Sequence, residues 1–198
     1  MADLITVQEF KNAEGIAGNK DDQRLAIIVP QVSDLAKKYC GTSFVDFYSS
    51  DKTEVITVKD NYTTTIITSE SPLISVTSVK ERTGYGEAYQ TLTTGNYEYY
   101  VDIASDSIIR TTDSGGEKYW ASGVGSVEIQ YKAGYSAAPA DLKLALFDLV
   151  LYYLRDEHKE RKTIAGATLQ NQGTSGVRNN TDFPDHIKRV LDLYRVII

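Results

Sequence analysis

Two histidines, one cysteine and several adjacent carboxylates are the residues in this chain that could do chemistry. A metal site needs His, Cys or acidic ligands spaced so that several side chains reach one ion. His158 sits inside the charge run Arg155–Lys162 and His186 near the start of the last predicted helix. Neither belongs to a His-Glu-x-x-His pattern, and Cys40 has no second cysteine for a metal site or a disulfide. Gly173-Thr174-Ser175-Gly176 lacks the spacing of a nucleophile turn and a strand before it. Gly84-Tyr85-Gly86 and Gly123-Val124-Gly125 do not open a helix after a strand, so they read as turns and not as dinucleotide loops. The acidic pairs Asp21-Asp22 and Asp156-Glu157 fit helix capping and solubility; acid–base work would need a cleft that splits their pKa values. These patterns predict no enzyme, no metal and no cofactor.

Bulk properties narrow the partners. The 198 residues carry a net charge of −6, with a sequence pI near 5.0. Nucleic-acid binding needs clustered Lys and Arg to release counterions from phosphates, so the balance argues against a DNA-binding surface but not against DNA passing nearby. No apolar run approaches the roughly 20 residues that span a bilayer, and the first residues lack a signal-peptide pattern. The expectation is a soluble protein made in the cytoplasm, with no membrane partner. Tyrosine is over-used at 14 copies, beside one Trp and one Met. A flat ring with a polar tip suits both half-buried strands and interfaces, and composition does not separate the two.

The periodicity divides the chain into helix, strand, helix. Thr6 followed by Glu9 predicts a capping box for a short helix ending near Gly15 and Gly18. A second helix follows Asp21-Asp22, with Leu25, Ile28, Val29, Val32, Ala36 and Tyr39 on one stripe; Pro30 should kink or restart it, and Gly41 closes it. From about 44 to 133, alternating Thr, Tyr, Val and Ile predict strands at 54–59, 62–68, 74–82, 97–103, 107–111 and 126–132. Helix returns at Pro139. There Leu142, Ala145, Leu146, Leu149 and Tyr153 form one stripe, and Leu144, Phe147, Leu151 and Leu154 form another roughly opposite. A surface helix needs one apolar face. Two faces mean central burial, or a place between the core and another subunit. A polar stretch at 163–182 reads as a long loop. A last helix starts at Pro184 with Ile187, Val190, Leu191 and Tyr194 in line, and runs into the apolar tail Arg195-Val196-Ile197-Ile198.

Several of these segments, in order, match a known pattern. Tyr131-Lys-Ala-Gly-Tyr135, Pro139-Ala-Asp-Leu-Lys-Leu-Ala145 and Leu149-Val150 with Tyr153 and Arg155 form a strand, a turn and a long helix. Ser71 through Val79, Phe183-Pro184 with Ile187, Leu191 and Tyr194-Arg195, and the opening Leu4-Ile5-Thr6 with Phe10-Lys11 and Tyr39-Cys40-Gly41 add to it. The chain resembles the head–tail connector (adaptor) proteins of tailed phages. The resemblance implies an α+β fold: a small helical bundle of N-terminal helices (1–43) and two C-terminal helices (135–198), with an inserted antiparallel β layer (44–134), as one structural unit. It also implies a ring, commonly of twelve subunits, on the portal protein. That ring would meet the next neck or tail protein and let genomic DNA pass without sequence-specific binding. On this expectation the apolar end Tyr194, Arg195, Val196, Ile197 and Ile198 docks on the portal, with loop 163–182 as a second candidate. Leu144, Phe147, Leu151 and Leu154 face the neighbouring subunit. The alternatives are a stopper-type neck protein, and a β-layer module that holds a ligand through an aromatic patch at Tyr119-Trp120.

Overall fold

The computed structural model describes residues 2–156 and 184–195. Elements follow the order α1 (Val7–Ala13), α2 (Asp22–Cys40), β1 (Lys52–Val58), β2 (Thr65–Ile67), β3 (Leu73–Glu81), β4 (Gln90–Leu92), β5 (Tyr99–Asp102), β6 (Ser107–Arg110), β7 (Gly123–Ala133), α3 (Ala140–Leu154) and α4 (Asp185–Leu193). This is an α+β fold with antiparallel sheets. The chain forms two compact units, one built from its two ends (Met1–Gly41 and Ala138–Ile197) and one from Thr42–Ala137.

In the helical unit, sequence signals set the helix ends. The Thr6 hydroxyl accepts from the Glu9 amide, and the Glu9 carboxylate accepts from the Thr6 amide at 2.8 Å, closing the expected capping box. Gly41 ends α2 in the left-handed region at φ 75°. α2 runs unbroken from Asp22 to Cys40 through Pro30, so of the kink or restart expected there the helix shows no restart. A proline frees the carbonyl four residues before it, here that of Ala26, an exposed residue that water can reach. Leu25, Val29, Val32, Ala36 and Cys40 of α2 are buried, as are Leu142, Ala145, Leu146, Leu149 and Val150 of α3 and Ile187 and Leu191 of α4. α3 contacts both α2 and α4.

The β unit departs from a single layer. It holds a four-stranded sheet ordered β1-β7-β3-β4 and a three-stranded sheet ordered β2-β6-β5. One apolar cluster draws on both, with Val79, Val127, Ile129 and Tyr131 from the first and Ile66, Tyr99 and Ile108 from the second. β7 alternates as its sequence predicts, with Val127, Ile129 and Tyr131 buried and Glu128 and Gln130 half-buried. β4 was not expected, because a three-residue strand carries too little periodicity to detect. β2 is shorter than predicted: Asp60 accepts from the Tyr62 amide and the Thr63 hydroxyl, which holds its lead-in as a turn. Gly123-Val124-Gly125 is not a free turn but the start of β7. Gly125 (φ 57°) lies where the β1–β7 register shifts, as a glycine-type bulge requires.

Two charged groups tie the sheets together. Arg110 of β6, 4% exposed, donates from Nε (3.2 Å) and an Nη (3.1 Å) to the Glu81 carboxylate of β3 and lies over the Trp120 ring. The other Glu81 oxygen accepts from the Ala121 amide at 2.6 Å. Removing one member of a buried pair strands the other without a partner, which costs about 3–5 kcal/mol. Arg110→Ala should therefore lower the unfolding free energy of the β unit by about that amount. Denaturant titration with Trp120 fluorescence as the probe checks this; a loss under 1 kcal/mol would show the pair to be dispensable.

Candidate functional site

Among the described residues no catalytic constellation assembles. Among the described residues no group of three His, Cys, Asp or Glu side chains could hold a metal ion. His186 is exposed, 3.8 Å from the Asp148 carboxylate, and His158 lies outside the described residues. One member of each acidic pair lies in an ion pair, Asp22 with Lys11 at 2.8 Å and Asp156 with Arg24 at 2.6 Å, and Glu157 lies outside the described residues. Cys40 is buried between α2 and α4, its thiol donating to the Leu191 carbonyl at 3.4 Å. Trp120 is 2% exposed inside the β core, so Tyr119-Trp120 does not present the paired aromatic patch of a ligand-binding module.

What the molecule offers is surface. The first stripe of α3 is buried from Leu142 through Leu149 and half-buried at Tyr153, while the second is graded. Leu144 is 64% exposed, Leu151 and Leu154 are half-buried, and Phe147 packs on Phe10 of α1 with ring centroids 6.3 Å apart. At the end of α4 the root of the tail is fastened. The Tyr194 hydroxyl donates to Asp141 at 2.6 Å, and that bond holds the Asp141 carboxyl below its ordinary pKa. Arg195 lies over the Tyr39 ring, 5.8 Å from its centroid. Tyr39 in turn donates to Asp192 at 2.5 Å; burial, helped by that acid, pushes its pKa up to about 12. Val196, Ile197 and Ile198, and loop 163–182, lie outside the described residues.

Sequence reasoning missed a groove of about 570 Å³ on the helical unit, lined by Arg24, Ile27, Ile28, Gln31, Val32, Leu35, Tyr153 and Asp156. Its signal was present: Ile27 is a large apolar residue off the buried stripe of α2, and it is 61% exposed. The tyrosines also divide. Tyr99 and Tyr131 are buried, whereas Tyr48, Tyr62, Tyr85, Tyr97, Tyr100 and Tyr119 are exposed. Charge divides more sharply. Residues 42–137 hold 13 acidic and 7 basic side chains, and the rest of the chain holds 14 of each, so the whole net charge of −6 belongs to the β unit.

The helical unit leaves apolar side chains open, and the β unit carries the acidic excess. In comparison with known proteins, the family model described as "Head completion protein" matches residues 3–197. The chain belongs to the head completion protein family. Over 73 residues it is 32% identical to the head completion protein of Escherichia phage T5, a stretch covering 36% of this chain and 39% of that relative. The chain thus matches about two-fifths of that relative's length. Among solved structures it is similar to a chain from the neck of an empty GTA (gene transfer agent) particle computed with C6 symmetry. That match has a TM-score of 0.58 and 16% identity, and covers 98% of this chain and 91% of the other. A chain from the neck of a native GTA particle computed with C12 symmetry gives a TM-score of 0.55 and 15% identity, covering 100% and 95%. At such identities the likeness establishes a shared fold. The resemblance read from Tyr131–Tyr135 and the long helix after it is thereby borne out at the level of the family.

The lone cysteine of this head completion family member is structural. Burial pushes its thiol pKa up to about 12, which keeps it protonated and unreactive. Native protein should resist Ellman's reagent at pH 8 and react once unfolded. Because the folded pKa is the raised one, Cys40 favours the fold below the pKa of a free thiol, near 8.5, and that contribution is lost as pH rises toward 12.

Proposed function

We propose that this head completion protein is a head-to-tail adaptor of a tailed phage, a non-enzymatic structural subunit of the virion neck. The observation that carries this reading is the family match over residues 3–197. The fold shared with neck proteins of GTA particles supports it. In this role the subunits form a ring on the portal protein, commonly of twelve, linking the capsid vertex to the next neck or tail protein. Closed rings use heterologous contacts, in which one patch on each copy meets a different patch on the next. The C12 symmetry used for one related neck is compatible with twelve copies.

Two features of the chain suit the role. The β unit carries the entire negative excess, and like charge lets a phosphate backbone pass without sticking. Genomic DNA is therefore a passenger and not a ligand. The tail Tyr194–Ile198 docks on the portal in this reading: Tyr194 and Arg195 are pinned to the helical unit through Asp141 and Tyr39, and an apolar sequence follows them. An apolar segment supplies burial to a partner.

Deletion of residues 195–198 should abolish co-sedimentation with purified portal-bearing heads of its phage, while circular dichroism and thermal midpoint stay near wild type. Head binding by the truncated protein at wild-type stoichiometry would reject the tail as the portal contact. Failure of the intact protein to bind heads at all would reject the adaptor reading.

A further inference from the structure

The ring reading leaves open which two patches of the chain meet, and the helical unit contains a matched pair. The first is the groove of about 570 Å³, with a wall of Ile27, Ile28, Val32 and Leu35 from α2 and a rim of Tyr153 and Asp156 beyond α3's midpoint. Of these, Ile27 is 61% exposed. The second is Leu144, 64% exposed, the outermost residue of the stripe that continues through Phe147, Leu151 and Leu154. Leu144 and Tyr153 are nine residues apart on one helix. At about 100° per residue that is two and a half turns, so they point to opposite sides of α3, about 14 Å apart along its axis.

We infer that Leu144 and its stripe on one subunit insert into the Ile27–Leu35 groove of the next copy, forming the heterologous contact of the ring. The inference rests on the adaptor reading and supplies its interface. Three observations select a second copy as the occupant. Knob and groove are different patches, with Leu144 and the groove's Tyr153 on opposite sides of α3, and a head-to-tail chain of copies needs two different patches where a two-fold dimer does not. The aliphatic wall of the groove, Ile27, Ile28, Val32 and Leu35, matches Leu144 in chemistry, so each covers apolar surface the other leaves open to water. The helical unit is charge-balanced, with 14 acidic and 14 basic residues, so copies approach there without repulsion. The β units, each net −6, disfavour contact with one another. A nucleic acid would find no basic face on this groove, where Arg24 is already bonded to Asp156 at 2.6 Å.

Cross-linking tests the contact. Cys40→Ser removes the native thiol, and Ile27→Cys and Leu144→Cys place new thiols at two exposed positions where substitution leaves the core untouched. Protein bound to purified portal-bearing heads is treated with a short bismaleimide and run on a denaturing gel. The I27C/L144C variant should give a ladder of covalent oligomers up to the ring size, an equal mixture of the two single variants should stop at dimers, and each single variant alone should stay monomeric. Dimers from I27C alone or from L144C alone would overturn the head-to-tail contact in favour of a two-fold one. Head binding at ring stoichiometry with no ladder would overturn the interface while leaving the adaptor reading intact. No head binding by the Cys40→Ser parent and the wild type alike would remove the adaptor reading, and the inference with it. As a second measurement, Leu144→Asp should reduce ring occupancy on heads at least tenfold without lowering the thermal midpoint; wild-type occupancy would count against the contact.

Discussion

The β unit depends on a buried charge held in place by its neighbours. Arg110 comes from the three-stranded sheet and Glu81 from the four-stranded one, and neither can enter a low-dielectric interior alone. Both charged groups make further hydrogen bonds. The guanidinium also donates to the carbonyls of Glu98 and Thr111, and the carboxylate takes the Ala121 amide as well. Trp120 covers the pair with its ring. Such a network contributes less to net stability than to uniqueness, because any other pairing of the two sheets would leave a charge unsatisfied. It gives the apolar cluster between the sheets one arrangement instead of several.

A second polar network does similar work at the other end of the same unit. Tyr131, buried in the middle of β7, donates its hydroxyl to Glu54 at 2.6 Å, and burial drives the phenol's pKa well above its ordinary value. Glu70, itself 7% exposed, accepts from the Thr42 and Ser43 hydroxyls, the Ser43 amide and Lys52. Three residues after Tyr131, Gly134 lets the chain leave the sheet. At φ 97° its position favours glycine, and a Cβ there would stand 2.2 Å from the Phe44 carbonyl oxygen. The Tyr131-Lys-Ala-Gly-Tyr135 motif is thus a packing statement: a buried tyrosine with a fixed hydrogen bond, a buried alanine, and a glycine where two backbone segments touch.

These constraints concern order within each unit, and the functional reading concerns what the units leave uncovered. The helical unit satisfies its core with one stripe of α3, keeping Leu144 and Ile27 outside. The β unit buries its charges where they are paired and carries its acidic excess elsewhere. Among the described residues the raised pKa values belong to Tyr39, Cys40, Tyr99 and Tyr131, all raised first by burial.

Much of this was legible in the residue order. The capping box at Thr6 and Glu9, the glycine stop at Gly41, the alternation in β7 and the two stripes of α3 are local patterns, and local patterns are what a linear sequence records. The family could be read from them because several such patterns occur in a fixed order. The division into two sheets, the short β4, the bulge at Gly125, and the meeting of Arg110 with Glu81 across 29 positions could not. Nor could the fate of the second α3 stripe, since periodicity says a face is apolar but not whether a neighbour covers it. The sequence by itself determined which segments are helix or strand, which faces are apolar and where the charge excess lies, because those follow from side-chain type and spacing along one backbone. Only the tertiary structure decided which apolar face stays open and which charges are paired, because burial depends on residues far away in the chain.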